Sequence, residues 1–273
     1  MLADALKGVL GTKRYAPWCS VRELCCASRA TVREFMLLKT LREEVLEANR
    51  QLVSMGLVLF TFGNASGISR QDGLVAIKPS GVPYERLTLE QIVVVKLDGK
   101  IVEGDLRPSS DLPTHLELYK HFPNIGGVAH THSPFATAWA QAQRPIPCFG
   151  TTHADYFHGP VPVTPCLTPD EIAHDYEKNT GVAICRTFAQ LDPDAIPAVL
   201  VAGHAPFCWG SSAADAAHHA VILESIARTA YYTVRIAPNA LPIPRELHDK
   251  HFSRRHGPNA YYGQLTAERL VGA

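Results

Sequence analysis

The sequence predicts a mixed α/β (α+β) domain, and three observations carry that prediction. Some stretches space their apolar side chains at three- and four-residue steps, others are short Val/Leu/Ala runs closed by Gly, Pro or Asn, and the two kinds alternate without an internal repeat. The 273 residues are 46% hydrophobic, which suits one main core. Lys plus Arg equals Asp plus Glu at 26 each, so the charge balance offers nothing to a nucleic acid or an anionic membrane surface. A small molecule is the better partner. No apolar run approaches the ~20 residues of a membrane-spanning helix, and no charged-then-apolar leader precedes a small-residue cleavage site. The seven cysteines, scattered from Cys19 to Cys208 without a CxxC pair, suit reduced thiols in a cytoplasmic enzyme.

Residues 1–35 stand apart as an N-terminal extension, because they show no sustained period and mix Arg, Cys and Ser without turn punctuation. Their Arg and Ser content fits a transit peptide, but Asp4, Glu23 and Glu34 count against one. From Met36 the pattern changes: Leu38, Leu41, Val45, Ala48 and Leu52 predict an amphipathic helix that Gly56 closes. "LVLFTFGNASGIS" then predicts strand, tight Asn/Gly turn and strand, and "GLVAIKPSG" a further strand ending at Pro-Ser-Gly. In "PSSDLPTHLELYKHF", Ser and Asp precede a helical run as an N-cap does. "IGGVAHTH" predicts a strand, "PFATAWAQA" a helix, "PAVLVAGH" a buried strand, and residues 213–232 the longest helix. No internal linker interrupts residues 36–264, so the second domain is 36–273.

The chemistry begins at "GVAHTH". Side chains two apart on a strand project to one side, so His130 and His132 can share one ion. Catalytic zinc takes three protein ligands and keeps a position open. His204, ending "PAVLVAGH", is the candidate third, and Asp111 of "RPSSD" can add a carboxylate oxygen. A bare HxH pair equally fits two histidines satisfied by ordinary hydrogen bonds.

Three short turns, "FGNASG", "KPSG" and "RPSSD", combine backbone N–H groups freed by glycine, serine hydroxyls and a lysine charge, which is what a sugar phosphate needs. Each alone also fits an ordinary surface turn. No GxxxxGK[ST] loop is present, which argues against nucleoside triphosphate hydrolysis. "TTHADYF" supplies His153 and Asp155 for acid/base work, and "KHFSRRHGPNAYYGQ" supplies His251, Arg254, His256, Tyr261 and Tyr262, although packing and turn roles fit the same residues.

Taken in order, "VLEAN", "GNASG", "IKPSGVPY", "VEGDLRPSSDLPTH", "GGVAHTHS", "TTHADYF", "LV-x-x-H-x-PF-x-WG" and "KHxxRxHGxxAYYGQ" resemble the L-ribulose-5-phosphate 4-epimerases of the class II aldolase family. The resemblance covers residues 36–264, and Met36 falls where proteins of that family begin. On this resemblance residues 1–35 are an upstream over-extension of the reading frame or an appendage of unknown role.

The resemblance implies a three-layer αβα fold around a mainly antiparallel sheet, assembled as a homotetramer with shared sites. It implies Zn2+, or Mn2+ or another divalent ion, on His130, His132 and His204, with Asp111 at the acidic position beside the metal. Related aldolases carry Glu there, which favours an epimerase. Gly63, Asn64, Ser80, Gly81, Ser109 and Ser110, with Lys78 close by, match the phosphate- and substrate-binding turns, and Thr151, His251 and Arg254 are supporting residues. Asp155 and Tyr262 match the acid/base pair, with Tyr262 given to a neighbouring subunit's site by the C-terminal tail. One departure stands out: "VAGHAPF" replaces the usual "VHSHGPF", so Ala202 and Gly203 remove a polar neighbour of the third histidine.

The implied reaction interconverts L-ribulose 5-phosphate and D-xylulose 5-phosphate, a sugar phosphate step common to L-arabinose and L-ascorbate breakdown. C4 carries no acidic proton, so C3–C4 must break, glycolaldehyde phosphate must rotate, and the bond must re-form. The alternatives are an aldolase of the fuculose- or rhamnulose-phosphate type and a non-catalytic protein with structural zinc. A cupin-type oxygenase also uses HxH, but no Glu follows His132 at short range.

Overall fold

Among the described residues, seven strands hydrogen-bond into one open sheet in the order β4-β3-β2-β1-β5-β7-β6, and every adjacent pair is antiparallel. The computed structural model describes residues 36–258 and 260–263. The described residues from Leu37 onward form one compact unit, and the N-terminal extension of 1–35 lies outside the described residues. The strands are β1 Asn64–Ser69, β2 Leu74–Ile77, β3 Val93–Lys96, β4 Ile101–Glu103, β5 Gly127–His130, β6 Ala198–Leu200 and β7 Pro206–Gly210. The helices are α1 Lys39–Ser54, α2 Leu112–His121, α3 Pro134–Gln141, α4 Thr151–Ala154, α5 Pro169–Ala173, α6 Tyr176–Thr187, α7 Ala213–Ile236 and α8 Arg245–His256.

Strand β1 shows how the layers arise, because successive side chains on a strand face opposite ways. Ser66 turns to α2, where its hydroxyl meets His115 Nδ1 at 2.7 Å and Tyr119 Oη at 2.8 Å. Gly67 turns to the other face, so closely that a Cβ there would lie 2.8 Å from Leu41 and 3.2 Å from Val45 of α1 and 3.6 Å from Ala213 of α7. Helices α1 and α7 pack on each other and on the sheet, while α2 pairs with α6 across the opposite face. There Trp209 of β7 meets Phe122 at 5.1 Å and Phe188 at 5.0 Å between ring centroids. The result is the three-layer α/β/α arrangement.

Helix α1 follows its predicted stripe: Val45, Ala48 and Leu52 are fully buried, and Gly56 takes φ +69° just beyond the end. Strand β5 needs its two leading glycines. A Cβ on Gly126 would stand 2.0 Å from the Ser211 carbonyl oxygen, and one on Gly127 would stand 2.2 Å from that of Ser212. The chain entering α7 therefore crosses the start of β5 at backbone contact, and Ser212 caps α7 by accepting from Asp215 N–H at 3.1 Å.

The structure differs from the sequence pattern in several places. "LVLFTF" is an irregular segment, not a strand: Leu57 and Val58 reach the core, but Leu59, Phe60 and Phe62 are exposed and Phe60 takes φ +54°. Gly63-Asn64 is accordingly the entry to β1, and the hairpin reverses at 70–73. Asp111 sits at the N-cap of α2 without capping it, because its carboxylate bonds elsewhere. The longest helix runs on to Ile236, and α4, α5, α6, α8, β3, β4 and β7 are elements that the sequence pattern did not announce.

Candidate active site

The site lies on the α2 face, where β1 and β5 pair and β7 begins. Asn64 opposes His130, and His130 opposes Phe207, so all three side chains project to the same side of the sheet. The His130 ring stacks on Phe207 at 4.2 Å. Its Nδ1 lies 2.9 Å from the Pro206 carbonyl oxygen, which can only accept, so Nδ1 carries the proton and Nε2 presents a bare lone pair. That Nε2 stands 3.1 Å from His132 Nε2.

His132 lies two residues on, just past the end of β5, and His204 lies in the turn between β6 and β7 rather than on a strand. Gly203, at φ +71°, shapes this turn, its N–H donating to the Ala140 carbonyl at 3.0 Å. The three histidines bring one nitrogen each within 4.8 Å of one another. Burial pushes the His204 imidazole down to about 4 and lowers that of His132, so both stand neutral, as metal ligands must. Three imidazoles converging in this way are a donor set that fits a borderline divalent cation such as zinc.

His204 has an outer partner that "VAGHAPF" does not advertise. Tyr176 Oη at the start of α6 lies 3.2 Å from His204 Nδ1, while the Ala202 N–H is satisfied by Thr164 Oγ1 at 3.1 Å. Asp111 lines the same cavity but does not belong to the group of converging donor atoms. Its carboxylate accepts from Asn64 Nδ2 at 2.6 Å. Burial opposes its ionisation, yet His130, His115 and the Asn64 bond hold it below the ordinary carboxylate range.

The cavity encloses about 390 Å³ and includes, besides the histidines and Asp111, Gly63, Asn64, Lys78, Ser80, Gly81, Ser109 and Ser110. Two of its walls are the turns after β2 and before α2, which bond to each other: Ser80 N–H donates to the Arg107 carbonyl at 2.9 Å and Ser109 N–H to the Lys78 carbonyl at 3.0 Å. Lys78 is 1% exposed, its ammonium 4.6 Å above the Tyr84 ring, and burial brings it down to about 8. Gly63, at φ +78°, lies against β5 so tightly that a Cβ would stand 2.7 Å from the His130 carbonyl oxygen. Two buried polar atoms here have no protein partner, Asn64 Oδ1 and His115 Nε2. An orphaned amide oxygen in the cavity wall asks for a hydroxyl donor, which a sugar supplies.

Asp155, Thr151, His251, Arg254 and Tyr262 do not line this cavity. They gather elsewhere on the same chain, apart from Thr151, which opens α4 and borders a separate surface hollow. The Asp155 carboxylate takes a two-point clamp from Arg254, at 2.9 and 2.8 Å, and a third contact from His251 Nδ1 at 3.1 Å. Burial works against its charge, but Arg254 and His251 keep it below the usual range, so it is held as a carboxylate. The Arg254 guanidinium lies 4.2 Å over the Tyr262 ring, which is half exposed. Arg254 thus joins Asp155 and Tyr262. His153 has no part in this: it is buried, donates from Nε2 to the Gly159 carbonyl at 2.8 Å, and burial pushes it down to about 4.

The sequence pattern missed His115, Tyr84, Tyr176 and Glu177. Tyr176 and Glu177 line the cavity from α6, whereas Tyr84 closes its back by donating to the Gly63 carbonyl at 2.9 Å. The signal for His115 was its place one helical turn from Asp111, on the same face of α2.

The family described as Class II Aldolase and Adducin N-terminal domain matches residues 43–231, which hold the sheet, the three histidines and the turns after β2 and before α2. The chain belongs to the class II aldolase family. Within it, an L-ribulose-5-phosphate 4-epimerase, UlaF, of Salmonella paratyphi A is 52% identical over 227 residues, spanning 83% of this chain and all of that protein. The UlaF protein of Salmonella choleraesuis matches to the same extent. Among solved structures, an L-fuculose 1-phosphate aldolase superposes with a TM-score of 0.68 at 24% identity, covering 79% of this chain and 95% of that one. The L-fuculose-1-phosphate aldolase of Thermus thermophilus superposes at 0.58 and 24% identity over 75% and 98% of the two chains. At that identity the two structures speak for the class II aldolase fold alone.

Proposed function

We propose that this class II aldolase family member is an L-ribulose-5-phosphate 4-epimerase that breaks and remakes C3–C4 at a zinc-dependent site, manganese being the alternative ion. The observation that carries the reading is the convergence of His130, His132 and His204 on a cavity whose other walls include Lys78 and the turns that carry Ser80-Gly81 and Ser109-Ser110. A cation held by the three histidines, with Asp111 alongside, would supply Lewis acidity toward the substrate's carbonyl and adjacent hydroxyl oxygens. The 52% identity to named epimerases over their whole length supports the substrate.

The chain's own groups have distinct tasks in this reading. Lys78 and the N–H and hydroxyl groups of Ser80, Gly81, Ser109 and Ser110 grip the phosphate, which keeps the aldehyde fragment from leaving while it turns over. Asn64 Oδ1 accepts from a sugar hydroxyl. Asp155 takes or returns a proton on one face of the aldehyde and Tyr262 on the other, with His251 and Arg254 holding them in place and Thr151 supporting Asp155 through its backbone carbonyl, which accepts from the Asp155 N–H. Because these groups stand outside the histidine cavity of their own chain, they serve the cavity of a neighbouring subunit. The exposed Leu59, Phe60 and Phe62 beside the cavity, and Tyr231, Tyr232 and Ile236 at the end of α7, supply the apolar surface that such an assembly, a cytoplasmic homotetramer, buries.

The decisive measurement is conversion of L-ribulose 5-phosphate to D-xylulose 5-phosphate by zinc-loaded protein, alongside an assay for free aldehyde. Epimerisation without aldehyde release is expected, and His130→Asn should abolish it. Accumulating aldehyde from a deoxyketose 1-phosphate would instead make the protein an aldolase. Neither activity, with a sharp chelator-induced drop in Tm, would make its zinc structural.

A further inference from the structure

A second constellation of metal-ligating side chains lies outside the histidine cavity, where the bend following α4 meets α8. His158, His248 and Asp249 bring one donor atom each within 4.8 Å of one another. His158 Nε2 stands 3.1 Å from Asp249 Oδ1, and His248 Nδ1 stands 3.3 Å from the same oxygen. Around a tetrahedral zinc ion with bonds of about 2.0–2.1 Å, neighbouring ligand atoms are about 3.3 Å apart, so these separations already suit a shared ion.

The ring protons of His248 tighten the constraint. Its Nε2 lies 3.1 Å from the carbonyl oxygen of Phe157, an acceptor only, so Nε2 carries the ring proton. In the neutral ring Nδ1 is then a bare lone pair, yet it faces a carboxylate oxygen. Two acceptors at that distance repel unless a cation, a second ring proton or a metal, lies between them. His248 is also buried, at 8% residue exposure, whereas the His158 and Asp249 side chains are 45% and 43% exposed, so an ion can reach them from solvent.

The donors are held in place before any ion arrives. The His158 N–H donates to the Ala195 carbonyl at 2.9 Å, its ring packs on Phe252 at 4.7 Å, and Arg245 occupies the other carboxylate oxygen of Asp249 at 3.4 Å, leaving Oδ1 to the histidines. We propose that His158, His248 and Asp249 form a second divalent transition-metal site, which clamps α8 to the segment following α4. Two imidazoles and one carboxylate select zinc, cobalt, nickel or copper over magnesium or calcium. The clamp falls three residues after Asp155 and just before His251 and Arg254, so it fastens together the two elements whose side chains meet at Asp155.

The test uses the full chain, stripped with chelator and then dialysed against zinc alone, with bound metal measured by elemental analysis. Two equivalents per chain are expected for the unaltered protein, one for His158→Ala, one for Asp249→Asn and one for His132→Asn, with the last lost in His132→Asn/His158→Ala. Zinc should raise the Tm of stripped His132→Asn and leave that of the double variant unchanged. A single equivalent that His132→Asn removes and His158→Ala leaves, or a second that survives both His158→Ala and Asp249→Asn, overturns the proposal, whereas a single equivalent that His158→Ala removes keeps this site and empties the histidine cavity instead. These readouts require no substrate, so they stand or fall separately from the epimerase reading.

Discussion

Lys78 holds its ammonium where water barely reaches it, and that placement has consequences of opposite sign for stability and for binding. The folded chain releases the Lys78 proton as pH rises through about 8, whereas the unfolded chain keeps it to the ordinary lysine value of about 10.4. The cost of burying the charge is therefore present in full below pH 8 and fades above it. Lys78→Met should be more stable than the unaltered protein at neutral pH, with the difference shrinking as pH climbs past 8, as urea titrations at several pH values would show. Phosphate binding goes the other way. The free enzyme's kcat/KM should fall above pH 8 by roughly tenfold per unit, the slope of one lost proton, and Lys78→Met should lack that limb. A flat profile to pH 9.5 would remove Lys78 from phosphate binding. Tyr176 is the other residue with a sharp expectation, because its hydroxyl is what His204 Nδ1 meets. Tyr176→Phe should weaken zinc retention against a competing chelator by roughly ten- to a hundredfold, and unchanged retention would deny the hydroxyl an orienting role.

At the scale of elements, β5 shows why a site can be legible in sequence while its geometry is not. "GGVAHTH" carries the strand, the leading glycines and the first two histidines in one short stretch. What the stretch does not show is that Gly127 faces the backbone entering α7, or that Gly63 faces the backbone of His130. Gly127→Ala should destabilise by about 1–3 kcal/mol or more, since the clash is with backbone rather than with a side chain that can turn away. Gly63→Ala combines a like clash with a left-handed conformation and should cost both stability and zinc affinity. Equilibrium urea unfolding measures the first effect and chelator competition the second. "LVLFTF" illustrates the opposite failure. Its composition is that of a strand, but only Leu57 and Val58 find core to bury, and the rest stays out of the sheet because a loop is needed to carry the chain to Gly63. Helix α8 was hidden for another reason. Its residues are overwhelmingly polar, so it shows no apolar stripe, and it is held largely by polar side-chain contacts to the α4 region.

For the whole molecule, the division of the candidate machinery into two places is the feature with most reach. His130, His132 and His204 share one cavity, Asp155 and Tyr262 meet around Arg254, and neither group borders the other within the chain. If each cavity is completed by a neighbour, His132→Asn and Asp155→Asn should each be inactive alone. Mixed after partial unfolding and refolding together, they should recover activity, because some interfaces then join an intact cavity to an intact Asp155. Failure to recover, with mixed oligomers demonstrated, would place both groups in one subunit's reaction. By itself the sequence determined the class II aldolase family and most strands and helices of the core, and it singled out as candidates the three histidines and the three small-residue turns. Those features depend on residue type, short-range spacing and periodicity, all of which are properties of the chain as written. Only the tertiary structure decided that Asp111 binds Asn64 instead of capping α2, that Tyr176 backs His204, and that His158, His248 and Asp249 converge. Each of these joins residues far apart along the chain, and such distances close only when sheet and helices pack.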